Sequence, residues 1–95
     1  MRTAARIDSN HGEIVAAFRA LGCTVISLAA LGKGVPDLLI GISGRNILAE
    51  VKDGSRSPSK RRLTTDQVTF KEMWRGSILY VEDAKEVLGI VNAFR

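Results

Sequence analysis

The fold of this chain is decided by two neighbouring apolar runs, DLLIGI at residues 37–42 and NILAEVK at residues 46–52, with the short stretch SGR at residues 43–45 between them. Both runs are rich in the β-branched and aliphatic side chains that strands favour. Two such runs joined by a short glycine-containing connection predict a β-hairpin. The rest of the chain is interpreted outward from this hairpin.

Charged residues lie at the open end of the predicted hairpin. Side chains two positions apart on a strand share a face, so Glu50 and Lys52 are expected to point together while Ala49 and Val51 face the core. In an antiparallel pairing, Asp37 at the start of the first strand lies near the end of the second. The pattern therefore predicts two carboxylates and one lysine in a single place.

The remaining elements follow from hydrophobic period and turn signals. They are a helix over Asn10–Leu21, a strand over Cys23–Leu28, loops over Leu31–Val35 and Asp53–Leu63, a helix from Thr64 to about Arg75, a strand over Ser77–Val81, and a last helix opening at Asp83. In the helix from Thr64, we expect Phe70, Met73 and Trp74 to form a buried stripe. The order αβββαβα predicts an α/β fold, a mixed sheet flanked by helices, in one domain over residues 1–95.

Composition narrows the classes of function. The 95 residues carry a net charge of +4, which favours a polyanionic partner. One cysteine and one histidine exclude an internal disulfide and a zinc site of the usual Cys/His kind. No apolar run reaches the roughly 18 residues of a membrane span, and no signal peptide is evident, so we expect no membrane partner and a cytoplasmic protein, of a bacterial cell or a phage-infected host. A sheet protein this small is expected to form a homo-oligomer, in particular a two-fold dimer.

The predicted cluster of Asp37, Glu50 and Lys52 suits phosphodiester chemistry. A small number of hard oxygen ligands is what Mg²⁺ or Mn²⁺ prefers, and the backbone carbonyl of Val51 adds another oxygen. Such an ion activates water and neutralises charge on a phosphate, with the lysine as a fixed cation or proton acceptor. Each motif alone also has a structural interpretation, since Pro-Asp starts strands and Glu-x-Lys forms solvated ion pairs.

The segments GKGVPDL at residues 32–38 and EVK at residues 50–52 resemble the PD-(D/E)xK nucleases, and within them the VRR-NUC branch with its stand-alone domains. The resemblance implies a restriction-endonuclease-like αβββαβ core similar to Holliday junction resolvases, here with an added C-terminal helix. It implies a Mg²⁺- or Mn²⁺-dependent endodeoxyribonuclease with Asp37 and Glu50 as metal ligands and Lys52 as catalytic partner. It further implies supporting roles for Glu13, as a possible metal ligand, and for Gln67.

Glu13 and Gln67 each have a second interpretation. Asn10 and Glu13 are spaced as an N-cap and its reciprocal partner three residues on, and Thr64 and Gln67 repeat that spacing. Either side chain is therefore predicted to serve its own helix or the site.

A basic cluster adjoins the predicted site. Candidate DNA-binding residues are Lys33, Arg56, Lys60, Arg61 and Arg62. With Phe18, Phe70, Trp74 and Phe94 all assigned to core stripes, we expect contact with the backbone of duplex or branched DNA, such as four-way junctions, rather than stacking on single strands. Two other functions stay open: a non-catalytic DNA-binding module with a nuclease-like fold, and a nuclease subunit targeted by a partner.

Overall fold

The computed structural model describes residues 9–95. Its helices and strands are α1 (His11–Ala20), β1 (Thr24–Ser27), β2 (Leu38–Ile42), β3 (Arg45–Val51), α2 (Thr65–Met73), β4 (Ile78–Val81) and α3 (Glu86–Ala93), with short 3₁₀ turns at Ala29–Leu31 and Pro58–Lys60. This order confirms the predicted α/β class. Among these residues, no helix combines the length and apolar character that a bilayer crossing requires.

The hairpin forms as predicted, but with a shorter connection. Strands β2 and β3 pair antiparallel from Leu38 opposite Ala49 to Ile42 opposite Arg45. The loop is therefore the two residues Ser43 and Gly44, both with positive φ, 50° and 77°. Positive φ at both central positions is the geometry of a type I′ turn, whose twist matches that of the strands. The turn thus fixes the register that places Asp37 beside Glu50.

A four-stranded mixed sheet is built around the hairpin. The strand order is β1-β2-β3-β4, with β1 antiparallel to β2 and β4 parallel to β3. Because β3 and β4 are parallel, the chain must cross over between them, and α2 lies in that connection. The crossover brings α2 to the end of β3 that carries the candidate site.

The core lies on one face of the sheet, under α1 and α3. Ile14 and Phe18 of α1 and Val87 and Val91 of α3 are buried against it. The sheet contributes the alternating inward side chains Val25, Leu38, Ile40, Ile42, Ile47, Ala49, Val51 and Val81. Cys23 is buried among them. Ala49 and Val51 therefore face the core, and Glu50 between them faces the opposite side.

The predicted buried stripe of α2 is wrong. No residue of α2 is buried, Met73 is 63% exposed and Trp74, which follows the helix, is 42% exposed; Phe70 is half-buried. The helical period was present, but the side chain with which α2 reaches the sheet is the polar Gln67, which bonds Glu50 on the face opposite the core. The assignment of Trp74 to the core fails for the same reason, whereas Phe18 is buried and Phe94 packs partly buried against the core.

The start of α2 lies flush against the loop that precedes β2. A Cβ atom at Gly34 would overlap the main-chain carbonyl of Asp66, and Gly34 has φ of +80°. Gly44 in the hairpin turn has φ of +77°, and a Cβ atom added there would have no neighbouring atom within 4 Å. The two glycines therefore share a backbone conformation and differ in their surroundings.

We expect Gly34→Ala to lower the free energy of unfolding by more than Gly44→Ala. Both substitutions place a Cβ at positive φ, at a cost of about 1–2 kcal/mol. Only the substitution at Gly34 also displaces α2, which adds about 1 kcal/mol or more. Urea denaturation of both variants measures the difference, and equal losses would contradict the close contact.

Candidate active site

Two carboxylates are buried at one end of the sheet. Asp37 immediately precedes β2 and is 7% exposed, and Glu50 near the end of β3 is 4% exposed. Leu38 pairs with Ala49, so the next residues outward along the hairpin are Asp37 and Glu50. Both side chains alternate with core residues and line the same cleft. The carboxylates of Asp37 and Glu50 therefore lie in one place, as the sequence predicted.

Asp37 is held by the backbone of the neighbouring strand. Its Oδ2 accepts a hydrogen bond from the Val51 N–H at 2.8 Å, in a buried setting. The bond links the beginning of β2 to the end of β3 and fixes the orientation of the carboxylate. Val51 also lines the cleft, and its N–H lies beside the Asp37 carboxylate.

Gln67 connects Glu50 to Lys52. Its Nε2 donates to Glu50 Oε2 at 2.9 Å, and its Oε1 accepts from Lys52 Nζ at 2.8 Å. The same Oε1 accepts from the Thr64 N–H at 2.9 Å, while the Gln67 N–H donates to Thr64 Oγ1, which completes a capping box. The capping interpretation of Gln67 is confirmed, and its role in the site stays a prediction. One side chain thus caps the start of α2 and joins Glu50 to Lys52.

The donor set fits a hard cation. Among the described residues no lysine or arginine forms an ion pair with Asp37, although its carboxylate is buried. A buried carboxylate that has a hydrogen bond but no cationic partner favours binding of a cation. No group of three His, Cys, Asp or Glu side chains that could hold a metal lies within residues 9–95. Two carboxylates and a main-chain oxygen match the ligand number of Mg²⁺, which usually keeps waters and takes substrate phosphate oxygens.

The cleft around these residues has a volume of about 440 Å³ and a basic rim. Four of the five predicted DNA-binding residues line it: Lys33, Arg56, Lys60 and Arg62. The fifth, Arg61, does not. It forms an ion pair with Glu82 at 3.0 Å, because its position in the loop directs it toward the end of β4. Asp66 of α2 also lines the cleft and adds a carboxylate that the sequence interpretation did not include.

Glu13 lies outside this cleft. It is exposed and lines a separate acidic cleft that also includes Asp53, Glu82 and Asp83. The predicted capping partner Asn10 makes no side-chain cap; its Nδ2 donates instead to the carbonyls of Lys52 and Glu82, at 3.2 and 2.9 Å. Asn10 thus fastens α1 to the ends of β3 and β4. Its carbonyl partners lie more than 40 positions away, so the local spacing gave no sign of them.

Tyr80 is a further residue near the site that sequence reasoning missed. It pairs with Glu50 across the parallel strands β3 and β4, and Lys71 Nζ lies 5.4 Å from the centre of its ring. Burial, followed by the charge of Glu50, raises the pKa of the Tyr80 hydroxyl. The phenol therefore stays protonated beside the carboxylate. Tyr80 lies beside Glu50 because of the register in which β4 pairs with β3. That register is set by the crossover connection, and no short sequence motif indicates it.

Asp53 anchors the basic loop where it leaves β3. Its carboxylate accepts from the hydroxyl and N–H of Ser55, at 2.6 and 3.0 Å, and from the Ser9 hydroxyl at 2.8 Å. The Ser55 hydroxyl, then the Ser9 hydroxyl, hold the pKa of Asp53 below its ordinary value. These hydrogen bonds hold the start of the loop that carries Arg56 and Lys60.

Comparison of the chain with models of protein families, with curated proteins and with solved structures found no match.

We expect Ser55→Ala to raise the pKa of Asp53 toward its ordinary value, because the largest stabilising hydrogen bond is removed. Since the pKa is lowered in the folded state, Asp53 contributes stability above its unfolded pKa and loses that contribution as pH falls through the folded value. Carboxyl NMR titration measures the shift. Ser59→Ala, which removes a hydroxyl bonded to Ser57 instead, is the control, and an equal shift in both variants would contradict the assignment.

Proposed function

We propose that this protein is a Mg²⁺- or Mn²⁺-dependent DNA endonuclease that hydrolyses phosphodiester bonds. The observation that carries the proposal is the cleft in which Asp37 and Glu50 lie together, with Lys52 held beside them by Gln67. The family resemblance of the GKGVPDL and EVK segments supports the same activity. The proposal assigns the cation to the two buried carboxylates and the Val51 carbonyl.

The chain's own residues have distinct tasks in this proposal. Asp37 and Glu50 hold and orient the cation, and the Val51 N–H keeps Asp37 from rotating. A bound divalent ion supplies Lewis acidity, which makes water a better nucleophile and offsets charge on the phosphate. Gln67 keeps the Lys52 ammonium close to Glu50, where it orients the nucleophile or stabilises the charge that develops on the phosphate.

The basic rim supports a nucleic acid as substrate. Lys33, Arg56, Lys60 and Arg62 surround the carboxylates, and a polyanion approaching them meets positive charge first. Lys33 has φ of 55° and lies between two glycines with positive φ, which lets the loop turn sharply at the cleft mouth. Contacts of this kind address phosphates rather than bases, which suits duplex or branched DNA. Preference for four-way junctions is the part of the proposal that comes from the family resemblance.

We expect Asp37→Asn, Glu50→Gln and Lys52→Met each to reduce metal-dependent cleavage by about 100-fold or more, the loss typical of removing one transition-state contact. The amide variants keep an oxygen that can accept the Val51 and Gln67 hydrogen bonds, so we expect the fold to survive. A nicking assay on linear duplex, flap and four-way junction substrates, with Mn²⁺ and with chelator, measures the effect.

The matched control is Glu72→Gln, which neutralises an exposed glutamate of α2 away from the cleft. Cleavage that persists unchanged in the Asp37 and Lys52 variants would refute the proposal. Salt-sensitive DNA binding without cleavage of any substrate would favour the non-catalytic module instead. Activity that appears only after adding a cellular partner would identify a targeted nuclease subunit.

The salt dependence of DNA binding is measured as the slope of log K against log salt concentration. We expect the magnitude of this slope to fall by about one for each cation of the cleft rim that is replaced by alanine. The residues for this test are Arg56, Lys60 and Arg62. Arg61→Ala should change the slope less, because Arg61 is paired with Glu82. Fluorescence anisotropy at several salt concentrations measures the slopes, and a larger change for Arg61 than for the other three would contradict the proposed interface.

A further inference from the structure

Trp74, the single tryptophan of the chain, is exposed and yet held in place. Its ring stacks on that of Phe70, with the centroids 5.3 Å apart and the planes at 19°. A Cβ atom at Gly76 would lie 2.7 Å from the indole Nε1, so any larger residue there would displace the ring. Gly76 is not among the glycines with positive φ, and its small size therefore serves the indole rather than the backbone. The orientation of the exposed ring is set before a ligand binds, which lowers the cost of binding.

Exposed cations flank the ring of Trp74. Lys71 lies three residues earlier on α2, and Arg75 follows Trp74 directly; both are exposed, and neither forms an ion pair within residues 9–95. The Lys71 Nζ also lies 5.4 Å from the ring centre of Tyr80, which is itself 39% exposed. Aromatic rings beside unpaired cations are the combination by which proteins bind single-stranded nucleic acids, since bases stack on the rings and phosphates meet the charges. The charge around Trp74 therefore suits a nucleic acid.

Trp74 is placed within reach of a strand bound at the candidate site. It lies seven residues after Gln67, so the two share one side of α2. At 1.5 Å per residue the separation along the helix is about 10 Å. Gln67 bonds both Glu50 and Lys52. At about 3.4 Å per nucleotide, a strand whose phosphate lies at these residues reaches Trp74 about three nucleotides away.

We infer that Trp74 stacks on an unpaired base of the DNA substrate, about three nucleotides from the cut. This inference rests on the proposed function and narrows its substrate class. Bases inside a continuous duplex are covered on both faces by their neighbours, whereas flaps and branch points offer bases that a side chain can reach. Stacking accepts every base, so the selection is for structure rather than sequence.

The exposure of Trp74 removes the reason for which the sequence analysis expected no stacking. That expectation assigned Phe70 and Trp74 to core stripes. In the structure Phe70 is half-buried beneath the indole, and Trp74 is 42% exposed. Phe70 thus acts as the support of the platform and Trp74 as its accessible ring.

Intrinsic fluorescence tests the stacking without any substitution. Because Trp74 is the single tryptophan, excitation at a wavelength that tyrosine does not absorb reports this side chain alone. With chelator present to prevent cleavage, we expect a flap with a single-stranded arm to quench the emission. A linear duplex of the same length, added until binding saturates, should leave the emission unchanged.

Substitution of Trp74 tests its contribution to affinity, measured by anisotropy of labelled DNA. We expect Trp74→Leu to weaken binding of the flap by about 10-fold, the loss of one base stack, and to leave duplex binding close to the wild-type value. Trp74→Phe, which keeps a ring, should bind the flap more tightly than Trp74→Leu. The matched control is Met73→Leu, at a neighbouring 63% exposed position, and it should change neither affinity. Circular dichroism checks that each variant is folded.

Emission that no substrate changes, or that the duplex changes as much as the flap, would overturn the inference. Equal flap affinity in the Leu and Phe variants would overturn it as well. A smaller molecular mass of Trp74→Leu in light scattering, with flap affinity unchanged, would assign the ring to a protein contact instead. Quenching by the flap in a protein that cuts no substrate would refute the nuclease and support the stacking. Metal-dependent cleavage without quenching would support the nuclease and overturn the stacking.

Discussion

Burial of two carboxylates at the same end of a hairpin is the constraint around which the described structure is arranged. Removing a charged group from water is costly unless hydrogen bonds or opposite charges compensate it. Asp37 receives the Val51 N–H, and Glu50 receives the amide of Gln67. The second of these bonds requires α2 to begin beside the end of β3, and the close approach at Gly34 allows that position. This arrangement supports the cation site that we propose at Asp37 and Glu50.

The parts of the fold with a local cause could be predicted. Alternation of side chains in residues 46–52 sent Ala49 and Val51 to the core and Glu50 to the other face. The hairpin was also predicted, although its turn is Ser43-Gly44 rather than residues 43–45. The Thr64–Gln67 spacing correctly indicated a capping box. What it could not indicate was that the same glutamine also bridges Glu50 and Lys52, because that contact depends on where the crossover places the helix.

The errors concern contacts made over long distances in the chain. Asn10 has the spacing of a helix cap with Glu13, but its amide bonds the carbonyls of Lys52 and Glu82. Arg61 belongs by composition to the basic loop, yet it pairs with Glu82. Met73 and Trp74 have the helical period of a buried stripe and remain exposed, because one short helix covers only part of the second sheet face. Periodicity reports which side chains share a face, and tertiary packing decides whether that face is covered.

The two clefts differ in the charge of the residues that line them. One holds Asp37 and Glu50 among cations, and the other gathers Glu13, Asp53, Glu82 and Asp83 without a lysine or arginine in its described lining. Diffraction from crystals soaked in Mn²⁺, collected at an energy where manganese scatters anomalously, distinguishes them. We predict an anomalous peak at bonding distance from the carboxylates of Asp37 and Glu50. A peak confined to the Glu13 cleft, with none between Asp37 and Glu50, would contradict it.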